Sequence, residues 1–162
     1  MPKVSIGIED DARKKSVAIL NTVLASDSVL YTKTRNYHWN VTGPTWRDLH
    51  KLLEEQYLAL AESNDEIAER ARSLGGNAVG TMTEFLQCSK IQDEKPNHYP
   101  SAHTMVRSLV DDHETIIRYL RESISATDDW DDVGTSDMLT TLMEAHEKMA
   151  WMLRAFLEGE GV

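Results

Sequence analysis

Residues 45–76 read TWRDLHKLLEEQYLALAESNDEIAERARSLGG. Leu49, Leu53, Leu60, Ile67 and Leu74 recur at intervals of four and seven, which places them on one face of a helix. Thr45 with Asp48 three residues later has a capping-box arrangement. Gly75-Gly76 supplies the residue type that ends a helix at the position after its cap. The stretch therefore predicts one long helix over 46–74 with a single inward face.

On the N-terminal side, Val17, Leu20, Leu24 and Tyr31 form one stripe. Val23, Leu30 and Tyr37 repeat every seven residues beside it. A helix from about Asp11 to His38 follows, and Gly43-Pro44 turns the chain back. On the C-terminal side, residues 75–100 form a long connection with a short apolar piece, Met82 to Leu86, expected as one small helix. Pro96 and Pro100 close it. A third long helix starts at Ser101 with Met105, Leu109, Ile116, Leu120 and Ile124 inward. The run Asp128-Asp129-Trp130-Asp131-Asp132 reads as an acidic, solvated loop. A fourth helix begins near Thr135 or Ser136 and uses Met138, Leu142, Met149, Leu153 and Phe156. Two short connections and one long one predict an all-α four-helix bundle whose crossover joins long helices two and three and runs them parallel. The whole chain, 1–162, is expected as a single domain, with 1–10 a flexible segment and an acidic tail from Glu158 to Val162.

Composition narrows the function. The formal net charge of −10 repels nucleic acid and attracts cations. No apolar run approaches the roughly 20 residues that span a bilayer. Met1 to Asp11 has no apolar signal segment, and Cys88 is the single cysteine, so a reducing cytoplasm is expected, with nucleoid association compatible.

Metal chemistry enters with His38, His50, Glu54, Asp65 and Glu69, a mixed imidazole and carboxylate set suited to iron, manganese or zinc. His50 and Glu54 are four apart, hence on one helix face, and Asp65 and Glu69 repeat that spacing. Alone, either pair is ordinary for a helix surface. Fifteen residues separate His50 from Asp65, a rise of roughly 22 Å, so one chain cannot bring them to one metal. Fifteen residues are also close to four whole turns, so both lie on nearly the same face. Two copies of this helix packed antiparallel about a two-fold axis bring His50 of one to Asp65 of the other, and such a contact makes two equivalent sites. His38 joins His50 across the Gly43-Pro44 turn. None of the six histidines has an acid three residues before it, which argues against a Glu-x-x-His site inside one bundle. His98, His103, His113 and His146 show no partner pattern and read as structural.

The segments Tyr37-His38-Trp39-Asn40-Val41, Leu49-His50, Asp65-Glu66-Ile67-Ala68-Glu69-Arg70 and Leu74-Gly75-Gly76 together resemble the signature of the Dps mini-ferritins, the DNA-binding proteins from starved cells. The similarity extends to Glu84-Phe85-Leu86 and to Lys148 through Leu157. It implies a ferritin-like fold, a homododecameric hollow shell, and ferroxidase centres of two irons shared across two-fold interfaces. By position, His38 and His50 match the ligands from one subunit, and Asp65 and Glu69 those from the other. Glu54 matches an acid near the second metal. Asp128 and Asp137 match acids around three-fold pores. Trp39 adjoins the site, as a packing residue or as a trap for stray oxidising equivalents. The implied activity is oxidation of Fe2+, preferably by hydrogen peroxide, with storage of ferric iron; zinc or manganese could occupy the same ligands. A DNA-coating nucleoid protein with secondary iron binding is the alternative, and a shell without redox chemistry is a third. Neither end is Lys-rich, which argues against direct DNA contact.

Overall fold

The computed structural model describes residues 4–158. Five helices follow one another: α1 (Asp10–Asn40), α2 (Trp46–Ser73), α3 (Met82–Cys88), α4 (Ala102–Asp129) and α5 (Val133–Glu158), with no strand among the described residues. The all-α bundle with a crossover carrying a short helix is thus the observed architecture. None of the helices is long and apolar enough to cross a membrane among the described residues.

Residue contacts set the register. The guanidinium of Arg13 donates to the Leu74 carbonyl at 2.9 Å, and His38 meets His50, so α1 and α2 run antiparallel as one hairpin. Arg154 pairs with Glu114 and Arg121 with Glu147, so α4 and α5 form a second antiparallel hairpin. Gln56 reaches the Met149 carbonyl at 3.3 Å and Arg70 reaches Asp132 at 2.7 Å, which sets α5 antiparallel to α2. It follows that α2 and α4 are parallel, as the long crossover requires.

The predicted inward residues of α2 are all buried, as are Leu20, Val23, Leu30, Met105, Leu109, Ile116, Leu120 and Leu153. Each such side chain contributes about 1.5–3 kcal/mol on leaving water, so these stripes supply the main stabilisation of the bundle.

Helix ends differ from the sequence expectation in informative ways. Thr45 is the N-cap of α2, but its side chain makes no capping bond; only its backbone carbonyl accepts from Asp48 and Leu49. The capping box sits instead on α3, where Thr81 and Glu84 bond each other's backbone N–H groups. The C-terminus of α2 is as expected. Gly75 has φ +89° and donates to Arg72, while Gly76 donates to Ala71, the Schellman pattern. Gly76 also lies against Val17, where a Cβ would come within 2.4 Å of a methyl group, so the crossover enters flush on α1.

The acidic run is solvated at Asp128, Asp129 and Asp131, which are exposed, but it is no separate loop and its last residue is buried. Helix α4 continues to Asp129 and α5 already starts at Val133. Asp132 is fully buried and accepts from the Thr135 N–H and hydroxyl and from Arg70, which makes it the anchor of the α4–α5 turn. Burial pushes its carboxyl up, but the Ser16 hydroxyl, then the hydroxyl and N–H of Thr135, and the Arg70 guanidinium outweigh that and hold it below the usual range. Of the segment expected to be flexible, 1–3 lie outside the described residues, while Ile8 packs against the core. Of the acidic tail, 159–162 lie outside them as well.

Candidate metal centre

His38 occupies the last turn of α1 and His50 the second turn of α2, so the five-residue link 41–45 folds one onto the other. Their rings stack with centroids 3.7 Å apart and an interplanar angle of 18°. Each Nδ1 lies 2.8 Å from the other residue's backbone carbonyl oxygen. A carbonyl only accepts, so both Nδ1 atoms carry a proton and donate it. The tautomer of both rings is thereby set, and the Nε2 lone pair of each remains for a ligand. Donation of one ring N–H to a carbonyl is the usual way a protein orients a metal-binding imidazole. Tyr57 stands edge-on to His38 at 5.2 Å and Trp46 edge-on to His50 at 5.9 Å, which walls the pair on two sides.

Just behind this pair, the Tyr37 hydroxyl donates to Glu94 of the crossover, and His98 meets the same carboxylate at 2.9 Å. Burial pushes the Tyr37 phenol up, and Glu94 adds to that. Burial opposes ionisation of Glu94, yet the bonds from Tyr37, the Lys95 N–H and His98 bring its carboxyl down to about 2. The crossover is thus pinned to the turn of α1 that carries His38.

Glu54, one turn beyond His50, is exposed, and so are Asp65 and Glu69. Among the described residues, no three side chains of His, Cys, Asp or Glu gather where a metal could be held. Within one chain, then, the two histidines come together and the carboxylates stand apart on the same helix. Trp39 is 63 % exposed, not packed into the chain, and the Arg35 guanidinium lies 4.8 Å over its ring. Asp128 is exposed near the end of α4. Asp137 is exposed too, but in the second turn of α5 and not at its opening, because the helix begins four residues earlier.

One cluster escaped the sequence reading. His113 and His146 are both fully buried and share a 2.9 Å contact between their Nδ1 atoms, and Asp27 lies 3.3 Å from the Nε2 of His146. A signal existed: three ionisable residues fall on the inward faces of their helices. Their mutual contact depends on hairpin register, which spacing within one helix does not reveal.

The ferritin-like domain family matches residues 17–160. A low temperature-induced protein of Nostoc sp. is 47% identical over 163 residues, covering 100% of this chain and 90% of that protein. DNA protection during starvation protein 2 of Bacillus anthracis is 41% identical over 144 residues, covering 89% of this chain and 97% of the relative. The crystal structure of a Dps protein from Vibrio cholerae, described as a member of a broad superfamily of ferritin-like diiron-carboxylate proteins, superposes with a TM-score of 0.90 at 29% identity, covering 97% of this chain and 98% of that one. With the bundle, its crossover and the histidine pair in place, the chain belongs to the Dps family of ferritin-like proteins.

Proposed function

We propose that this protein is a ferroxidase that oxidises Fe2+ with hydrogen peroxide and stores the ferric product inside a homododecameric shell. The observation that carries the reading is the reciprocal bonding of His38 and His50, which leaves two oriented Nε2 lone pairs side by side. Two imidazoles alone hold iron weakly. Asp65 and Glu69 of a two-fold-related copy complete the set, and Glu54 serves a second iron beside the first. Carboxylate oxygens favour the higher charge of Fe3+ and so draw the reaction forward. Two irons each give up one electron, the peroxide O–O bond takes both, and with two protons two waters form. Pairing the electrons avoids release of hydroxyl radical. Acids at Asp128 and Asp137, repeated by three-fold symmetry, concentrate Fe2+ at the entrance. DNA is protected by removal of iron and peroxide, which needs no contact with the strongly anionic surface expected from a charge of −10.

Co-assembly tests the shared site. Chains with His38→Gly and His50→Gly are mixed during refolding with chains carrying Asp65→Asn and Glu69→Gln. Each parent shell should be inactive in rapid peroxide-dependent iron oxidation. The mixed shells should recover about a quarter of the wild-type rate, because only half of the two-fold pairs are mixed and each holds one intact site. Mixed shells no faster than their parents would remove the basis for a site built from two chains.

A further inference from the structure

Most buried ionisable side chains of the described residues have partners of their own. Arg13 holds the Leu74 carbonyl and Asp10, Lys33 pairs with Asp112 at 2.7 Å, Asp132 pairs with Arg70, and His38 is bonded to His50. Asp27 of α1, His113 of α4 and His146 of α5 are different. All are fully buried, and their side-chain polar contacts are with one another. The three stand in a row: the Asp27 carboxylate, with both oxygens 3.3–3.4 Å from His146 Nε2, then His146 Nδ1, then His113 Nδ1 at 2.9 Å. A row is the wrong shape for a metal site, which needs donors that converge. It is the right shape for passing or holding a proton.

The proton inventory follows from geometry. A bond between two ring nitrogens needs one to donate and one to accept. Both rings therefore cannot be doubly protonated while the bond lasts, and the pair accommodates one imidazolium at most. That charge belongs on His146, the ring that faces Asp27. A further proton on His113 would put a donor against a donor, and its Nε2 has no partner in the core. Little nearby could offset such a charge. The buried residues of α2 include none that ionises, and the Gln56 amide donates to the Met149 carbonyl. On α1 and α4 the next charges are the buried Lys33 and the partly buried Asp112, already engaged with each other. On α5, His146 is the sole ionisable residue among those buried. Burial, and after it the neighbouring His146, hold the His113 imidazole well below the ordinary histidine range.

The position matters as much as the chemistry. Asp27 belongs to the first helical hairpin, and His113 and His146 to the second, so the row crosses the seam between them. We infer that Asp27, His146 and His113 form a proton-binding clamp across the two hairpins, which accommodates one proton between His146 and Asp27 and parts when a second arrives. Acidification is thereby coupled to loosening of the bundle interior. In the unfolded chain, His113 binds a proton below about pH 6.5, whereas in the folded chain it resists doing so. Its contribution is thus fully present above that pH and is lost as the pH falls below it.

The test is hydrogen exchange of the assembled full-length protein between pH 8 and pH 4.5 at constant ionic strength, read on peptides from α1, α4 and α5 and corrected for intrinsic rates. In the wild type the opening constant of these segments should rise about tenfold per pH unit below 6.5 through this one proton. In His113→Gln, where the amide cannot take up a proton, that dependence should be absent. An unchanged pH slope in the variant would overturn the inference. Should the variant fail to assemble, wild-type protein labelled with 15N-histidine gives the second reading. One core ring should stay neutral as the pH falls until the bundle opens. Two doubly protonated core rings in a folded bundle would refute the clamp.

Discussion

Two pairs of histidines in this chain engage the same nitrogen, Nδ1, with different partners and to different ends. At the turn end of the first hairpin, His38 and His50 stack almost parallel and spend their Nδ1 protons on backbone carbonyls. In the core, His113 and His146 tilt by 60° with centroids 5.1 Å apart and turn their Nδ1 atoms on each other. The first arrangement leaves both Nε2 atoms for a ligand. The second consumes the pair internally and gives the remaining His146 nitrogen to Asp27. What a histidine pair does is decided by which nitrogens the backbone and neighbours have already engaged, not by its presence.

The sharpest way to break this contrast is to delete each pair separately. His38→Gly with His50→Gly should lower peroxide-dependent iron oxidation by more than about 100-fold, since losing mere orienting partners of a ligand costs 10–100-fold. Its unfolding midpoint should stay near that of the wild type. His146→Leu should do the reverse: iron oxidation persists in the shells that form, while stability falls by about 3–5 kcal/mol because Asp27 is left as a buried charge without a partner. Asp27→Leu combined with His146→Leu should recover part of that loss, a coupling that chemical denaturation of the assembled protein can measure. Equal effects of both deletions on activity and stability would erase the distinction.

This contrast also marks where sequence reading stops. Helix α2 was legible because its apolar period and its Gly-Gly stop act within one element. The His38–His50 contact was legible because a short turn joins them. The Asp132 anchor was hidden inside a run of four acids, where charge suggested solvent, and the Arg70 guanidinium across the bundle together with Thr135 explains its burial. The Thr81–Glu84 box was visible as a spacing but lay in a segment too short for periodicity. Asp27, His113 and His146 come from three helices, and no local pattern links them. The carboxylates Asp65 and Glu69 rest on spacing, two-fold geometry and family resemblance, since a single chain leaves them apart.

A third histidine gives a smaller and more graded comparison. His98 meets Glu94 at the surface, where the same carboxylate receives the Tyr37 hydroxyl. Glu94→Gln should lower the melting temperature at neutral pH by about 2–4 °C, the change expected for a loss near 1 kcal/mol in a chain of this size. The carboxyl of Glu94 is depressed to about 2 from the ordinary glutamate value of 4.5, so its contribution is present above pH 4.5 and fades as the pH falls toward 2. The difference between variant and wild type should shrink over that interval. A difference that persists undiminished at low pH would mean that packing, not charge, pins the crossover.

The smallest effect is expected far from every histidine. Asp137→Asn should slow iron uptake at low Fe2+ and low salt and matter little at high Fe2+, because a Debye length of ~10 Å at 0.1 M screens the approach of the cation. Asp137 lies in the second turn of α5 and caps nothing, so the melting point should hold. Uptake that is equally fast at all iron and salt concentrations would leave the residue without a role at the entrance.

The short links within each hairpin and the long crossover between them also impose an order in time. Closing residues 41–45 or 130–132 costs about 1.5–2 kcal/mol less chain entropy than closing 74–101, so each hairpin can zip before the two meet. His38 and His50 belong to one hairpin and can stack as soon as it forms. Asp27 must wait for His146 until the second hairpin docks. The nascent chain therefore acquires its stacked imidazoles early and its interior hydrogen-bonded row last, and the row serves as a register mark for correct docking.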